Sequence, residues 1–352
     1  MSKLKVGVIG AGSISELHMG SYKNNPDVVM HAVCDLNEQR ARALADKYGF
    51  ARVYTNIAEM MADTELEAVS ICTWNNTHAD LAVAALNAGK HVLVEKPLST
   101  TVEEALRVQE AVRRTGKQVQ VGYVRRHGAN TQMLKQFIDN GDFGEIYYAK
   151  ASCIRRLGNP GGWFADKSRS GGGPLIDLGV HMIDLCWYLM GRPKVKSVSG
   201  NTYYKLGNRA NVQNLNFYKA ADYDASKNTV EDMANAIVRF ENGASLMVDV
   251  SFSLHAKENE VSVRLFGEKG GAEIEPEITI VTEKYDTILN VTPQVNSLKL
   301  NVTEAFQNQI NHFVSCCLNG TTPDSSVDDG VEMMKILCGI YESAEQGKEI
   351  YF

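Results

Sequence analysis

The sequence predicts an α/β protein: a doubly wound parallel sheet over the first third, followed by a second, α+β domain built on a different kind of sheet. Three observations predict it. Short apolar strands alternate with helical stretches from Leu4 to about residue 124, the pattern of a parallel sheet covered on both faces. After Arg125-Arg126 this alternation ends. Farther on, Leu246, Val248, Val250, Phe252 and Leu254 interleave with Asp249, Ser251 and Ser253, as in an antiparallel sheet with one apolar face. At 352 residues the chain exceeds what one core ordinarily serves. The domains are drawn as 1–124 and 125–352, with the closing helix 331–346 a candidate to pack back on the first.

In order, Leu4–Ile9 reads as a strand, Gly10-Ala11-Gly12 as its turn, and the residues through Met19 as a helix. Val28–Cys34 is a strand ending at Asp35, and a helix follows over 37–47. Residues 68–73 form a strand and 79–87 a helix. The strand 91–94 closes on Glu95-Lys96-Pro97, before a helix over 101–115 and a strand over 118–121. In the second domain, 132–140 reads as a helix and 144–156 as a strand. A glycine-rich loop carrying Arg155, Arg156, Trp163 and Phe164 leads to a helix from Pro174 to Gly191. Further strands are expected over 246–254, 261–266 and 278–282. The polar, Asn-rich stretch 205–228 reads as an excursion or an oligomer arm.

Bulk properties exclude several classes. A net charge of −6 speaks against a nucleic-acid partner, which calls for a basic face. No apolar run approaches the ~20 residues of a membrane span. The opening MSKLKVGVIG runs straight into a strand without a signal-peptide design. Seven cysteines, an odd number with no Cys-x-x-Cys, fit reduced thiols. A cytoplasmic protein without nucleic-acid or membrane partners is expected.

The loop Gly10-x-Gly12-x-x-Ser15 follows a strand and opens a helix. Gly10 permits the tight turn, and Gly12 lets backbone approach a pyrophosphate at the helix N-terminus, where Ser13 and Ile14 begin. Ser15 departs from the Gly or Ala of the strict fingerprint. Asp35 would accept hydrogen bonds from the adenosine ribose hydroxyls and repel a 2′-phosphate, so NAD is preferred and NADP disfavoured. Asp35-x-x-Glu38 also has the form of a capping box. Ligands of such sheets bind at the carboxyl ends of strands. That places Thr73, Asn75 and His78, then Glu95 and Lys96, in the cofactor-binding set, and Tyr123 beside the substrate. Asn76 or Thr77 could instead cap the next helix. Pro97 holds the Lys96 backbone extended, which aims its amine.

The Pro174–Gly191 helix is apolar nearly all round, with Leu175, Leu178, Met182, Leu185 and Leu189 in one row. One polar stripe interrupts it: Asp177, His181, Asp184 and Tyr188. At about 100° per residue these fall within an arc of roughly 60°. Such a helix is normally buried, and burying an acid and an imidazole is costly unless they pair or face a polar cavity. Asp177 and His181 are therefore read as an acid and a base presented to a site, and Asp184 as structural. Two ligands without a Cys/His cluster make a poor metal site, and no metal is expected. Trp163 could stack on a sugar ring, and Arg155 or Arg156 could bind hydroxyls or a carboxylate. Partly buried structure and surface ion pairs explain these residues equally well. Arg126 is a weaker candidate.

Together, Gly10-Ala11-Gly12, Asp35, the Thr73–His78 loop, Ala88-Gly89-Lys90-His91-Val92 leading into Glu95-Lys96-Pro97, and Gly171-Gly172-Gly173-Pro174-Leu175-Ile176-Asp177-Leu178-Gly179-Val180-His181 resemble the Gfo/Idh/MocA oxidoreductases. The Glu-Lys-Pro element and the Asp-x-x-x-His element, in this order and separation, are its most specific part, and the resemblance covers essentially the whole chain. It implies an N-terminal Rossmann domain and a C-terminal α/β domain with a large, open, mostly antiparallel sheet. It also implies a nicotinamide cofactor, sugar or cyclitol substrates, and a homodimer or homotetramer built through the open sheet. By the same resemblance Lys96, Asp177 and His181 take the catalytic positions.

These parts suit hydride transfer between a secondary alcohol carbon of a sugar, glycoside or cyclitol and nicotinamide. Either His181 is the base and Lys96 steadies the alkoxide, or Lys96 is the base and His181 positions. Competing readings are an NAD-dependent glycoside hydrolase working through transient oxidation, and a non-catalytic NAD-binding sensor.

Overall fold

The computed structural model describes residues 3–295 and 298–352, except 208, 210, 213, 217, 218 and 221–223. Eight of the 24 residues of the 205–228 stretch, which the sequence reads as an excursion or oligomer arm, therefore lie outside the described residues. The chain divides into two compact units, residues 1–127 with 302–334, and 128–301 with 335–352.

In the first unit six strands form one parallel sheet: β1 (Leu4–Ile9), β2 (Val28–Cys34), β3 (Arg52–Tyr54), β4 (Ala68–Ile71), β5 (His91–Glu95) and β6 (Val119–Gly122). Their order is β3-β2-β1-β4-β5-β6, which reverses direction between β1 and β4 and opens a ligand crevice there. Helices α1 (Ser13–Lys23), α2 (Glu38–Tyr48), α3 (Ile57–Ala62), α4 (His78–Asn87) and α5 (Val102–Thr115) connect the strands. Strand β3 and helix α3 were not anticipated. Three and six residues are too short for a period to show. The Asp35-x-x-Glu38 capping box does not form. Asn37 is the N-cap of α2 and accepts from the Arg40 amide.

The first unit also takes residues 302–334, which the division at residue 124 places in the second domain. Helix α9 (Val302–Asn319) buries Ile310, Phe313 and Val314 in one cluster with Met19 and Tyr22 of α1. An amphipathic helix announces that it has a buried face but not which core will cover it.

The second unit holds a nine-stranded sheet. Its strands are β7 (Ile146–Ile154), β8 (Val195–Tyr203), β9 (Met233–Phe240), β10 (Ser245–Ser251), β11 (Glu260–Gly267), β12 (Gly270–Glu275), β13 (Thr279–Lys284), β14 (Thr287–Val291) and β15 (Ile350–Tyr351). Their order is β14-β13-β12-β11-β7-β10-β9-β8-β15. β7 and β10 run parallel, and the other pairs are antiparallel. Alternation along β9 buries Ala234, Ala236, Val238 and Phe240. Among the helices, α6 spans Ala129–Asp139, α7 spans Lys167–Ser170 and α8 spans Val180–Leu189. Helix α8 packs on β7, β10 and β11. Tyr147, Phe266 and Ile288 of the sheet stay exposed. The unit boundary falls after Met334, inside α10 (Val327–Gln346). No helix among the described residues is long and apolar enough to cross a membrane.

Candidate active site

Gly10 has φ +96°, and a Cβ there would lie 2.5 Å from the Cys72 carbonyl oxygen. The turn after β1 thus needs glycine twice over, for its backbone angle and for its approach to the end of β4. Gly12 has nothing within 4 Å of a built Cβ. It is the N-cap of α1 and supplies no capping side chain. The first amides of the helix, at the exposed Ser13 and the part-buried Ile14, are left for an anion. Ser15 is buried and its hydroxyl donates to the Gly12 carbonyl at 2.6 Å, so the departure from the strict fingerprint closes the turn internally. Asp35 Oδ2 accepts from the Ala11 amide at 2.7 Å and Oδ1 from the Asn37 amide at 2.7 Å. Each carboxylate oxygen keeps a second lone pair for a ribose hydroxyl. Open space at Gly12, an uncapped helix start and Asp35 bound to the same loop together fit a dinucleotide.

The next two strand ends are tied together by His78. Its Nδ1 lies 2.7 Å from the Pro97 carbonyl and its Nε2 lies 3.2 Å from the Thr73 carbonyl. The ring is 1% exposed. Burial lowers its pKa against the pull of both carbonyls, so the imidazole is neutral and donates through Nδ1. His78 therefore shapes the loops rather than offering a free side chain. Thr73 Oγ1 shares a 2.7 Å hydrogen bond with Thr77 Oγ1. Asn75 is buried, and Lys96 is partly exposed. Glu95 turns inward: Oε1 meets His18 Nε2 at 2.8 Å, and Oε2 accepts weakly from the Lys96 amide at 3.3 Å.

Sequence reasoning missed His18. It is fully buried on α1, with Nδ1 3.1 Å from Ser70 Oγ, which in turn meets Tyr22 Oη at 2.8 Å. Burial opposes a charge on this ring, but Cys72 and Glu95 more than offset it and hold its pKa above the ordinary value. A helical period marks His18 only as inward-facing, so no local signal identifies its partner 77 residues away. His18→Leu is expected to lower stability by about 3–5 kcal/mol, since Glu95 would be left buried without its partner. The raised folded pKa means this stabilisation is complete below about pH 6.5 and is lost as pH rises toward the folded value. Urea unfolding of both proteins should therefore show the gap narrowing at alkaline pH. A gap constant with pH would reject the charged pair.

The expected single helix from Pro174 is two segments. Leu175–Gly179 wind as one π turn, and α8 continues from Val180. The 60° arc, which assumes an unbroken α-helix, does not hold across this turn. Single π turns within helices frequently mark functional sites. The stripe itself divides by exposure: Asp177 and His181 are partly exposed, whereas Asp184 and Tyr188 are buried.

Other expectations fare unevenly. Tyr123 is 1% exposed with the Arg126 guanidinium 5.2 Å from its ring centroid, so it presents no surface on which a sugar could stack. Arg126 is not at a surface either. It is fully buried and donates to the Asp324 carbonyl at 2.7 Å and to Asp329 Oδ2 at 2.6 Å. Arg155 folds back to donate to the Gly158 carbonyl at 3.0 Å, and Arg156 is exposed. Trp163 is partly exposed, with one face stacked on Phe164 at 4.0 Å between centroids. His31, Asp63 and Glu65 cluster closely enough to suggest a metal site, but Arg52 pairs with both carboxylates.

Residues 4–123 match the family described as an oxidoreductase family with an NAD-binding Rossmann fold, and residues 135–352 match its C-terminal α/β domain. The chain is similar to a D-glucoside 3-dehydrogenase of Escherichia coli K12, 33% identical over 99% of this chain and 97% of that protein. It is also similar to a myo-inositol 2-dehydrogenase of Thermotoga maritima, 28% identical over 76% of this chain and 74% of that protein. Among solved structures, a levoglucosan dehydrogenase in complex with NADH and L-sorbose shares the fold, with a TM-score of 0.86 at 23% identity over 100% and 99% of the two chains. With the glycine turn, the Glu-Lys-Pro strand end and the Asp177–His181 helix in place, the chain belongs to the Gfo/Idh/MocA oxidoreductase family, and its first domain is the NAD-binding one.

Proposed function

We propose that this protein is an NAD-dependent dehydrogenase acting on a secondary alcohol carbon of a sugar, glycoside or cyclitol, with a D-glucoside the first substrate to try. One observation carries the reading. On a helix otherwise buried among apolar neighbours, the polar groups left open to solvent are an acid and an imidazole, Asp177 and His181. The similarity to a glucoside dehydrogenase along nearly the full length supports it.

The Gly10–Ile14 turn and Asp35 would hold the dinucleotide, which would supply the hydride acceptor for the substrate carbon. His181 takes the hydroxyl proton, as the side chain with an unperturbed pKa nearest neutrality. The Lys96 ammonium holds the same oxygen and favours its alkoxide. Asp177 binds a neighbouring hydroxyl. Glu95, His18 and His78 act through the backbone of the strand ends and set where Lys96 points. Trp163 and Arg155 are assigned to the substrate side.

The test is NADH absorbance with purified protein across methyl glucosides, aldoses, levoglucosan and myo-inositol. NADH formation with at least one is expected. Sugar release without net NADH would show a glycoside hydrolase instead, and NAD binding without turnover of any would leave a sensor. Asp35→Ala is expected to weaken NAD by at least ~10-fold, about 1.4 kcal/mol, because it loses both a ribose acceptor and the bond to Ala11. NADP should be affected far less, so the NAD/NADP preference narrows. An unchanged preference would remove Asp35 from the ribose site.

The exposed Tyr147, Phe266 and Ile288 on one sheet support a homodimer or homotetramer built through that sheet, to be read by light scattering. A cytoplasmic location is part of the same reading.

A further inference from the structure

We infer that Glu231 is a positioning residue for the reaction, holding the start of the helix that carries Asp177 and His181; this rests on the catalytic reading of those two residues. Glu231 lies just before β9, 58 residues from its partner in the glycine loop, and is 1% exposed. Its Oε2 accepts from the Gly173 amide at 2.8 Å, and its Oε1 accepts from the Leu175 amide at 3.1 Å and from the Tyr341 hydroxyl at 2.8 Å. Pro174, between those two amides, has no N–H. One carboxylate therefore binds both N–H groups on either side of it, at the positive end of the helix. The Gly173 carbonyl in turn accepts from the Asp177 amide at 3.0 Å, so the anchored segment is the one that opens the π turn.

Close approach is built into the glycines. A Cβ at Gly173 would overlap the Glu231 carbonyl oxygen, and one at Gly172 would overlap the Tyr341 hydroxyl. The Glu231 backbone and the Tyr341 side chain explain why the loop is glycine at both positions. Burial pushes the Glu231 carboxyl pKa up, and its hydrogen bonds pull it back only in part. A buried carboxylate is a poor choice for stability alone, because apolar residues of similar volume often serve as well or better. What only a carboxylate offers here is two acceptor oxygens for three donors. In Glu231→Gln the new NH₂ must face either the Gly173 or the Leu175 N–H, whichever way the amide is turned.

The experiment compares wild type, E231Q, Y341F and H181A. It uses NAD with methyl β-D-glucopyranoside or, if turned over faster, myo-inositol, and hydrogen–deuterium exchange of the peptide 171–182. E231Q is expected to exchange faster at Gly173 and Leu175 and to lose about 100-fold in kcat, the scale of a 1 Å misplacement. KM should stay within about threefold and NAD affinity should be unchanged. Y341F keeps both backbone bonds and should lose much less. Wild-type exchange together with wild-type kcat in E231Q, while H181A is inactive, overturns the inference and leaves the catalytic reading standing. An active H181A overturns the catalytic reading instead, and the exchange data still report whether Glu231 holds the loop. If E231Q loses its melting transition, Y341F decides: faster exchange and a severalfold lower kcat support the inference, and wild-type values for both overturn it.

Discussion

Lys96→Ala and His181→Ala are each expected to lower kcat by at least ~100-fold, the range of general acid–base catalysis, with NAD affinity little changed. The two losses should differ in kind. Removing His181 takes away the proton acceptor, so added imidazole should restore part of the turnover. Removing Lys96 takes away the cation that steadies the alkoxide, so a small primary amine should restore part of it, and imidazole should not. If methylamine rescues Lys96→Ala with a pH dependence that follows the amine's own basicity, and His181→Ala shows no rescue by imidazole, the proton acceptor is Lys96 and the roles exchange. Full activity in either variant would sink the assignment of that residue altogether.

The second large effect separates two glycines of one loop. Gly10→Ala places a Cβ 2.5 Å from the Cys72 oxygen and 2.8 Å from its carbonyl carbon, at φ +96°. The neighbour is backbone at the end of a central strand, so nothing flexible can yield, and the left-handed conformation itself costs about 1–2 kcal/mol with a Cβ. We expect a melting temperature lowered by ~5 °C or more and NAD binding weakened by at least ~10-fold. Gly12→Ala meets nothing within 4 Å and has an ordinary φ of −90°. It should melt like wild type and still bind NAD at least ~10-fold more weakly, because the new methyl occupies the approach to the helix N-terminus. Calorimetry with and without NAD reads both. Equal NAD affinity in Gly12→Ala would place the pyrophosphate elsewhere.

Much of the first unit was legible because its signals are local. An apolar strand, a glycine turn and a helix occupy about twenty consecutive residues, so β1 and β2 fall on their expected bounds, while α1 runs on past Met19 to Lys23. The misses have physical causes. β3 is too short to show a period, and β15 pairs through only two residues. The assignment of α9 to the first unit depends on which core covers its apolar face.

The site divides in the same way. Residue types in order along the chain already show which chemistry is present: a glycine turn before a helix, an acid after β2, a lysine at a strand end, and an acid and an imidazole on an apolar helix. Those are choices of residue type within a few positions of one another. The packing of elements sets which of them are open and what holds them. It left Asp177 and His181 partly exposed and buried Asp184 and Tyr188. It also withdrew Tyr123 and Arg126 from the surface, and it supplied His18 beneath Glu95 and Glu231 beneath the glycine loop. These pairings join residues 77 and 58 positions apart. Hydrogen bonds of that reach leave no trace in local periodicity, because they are made by the packing of elements and not by the order of residues within one.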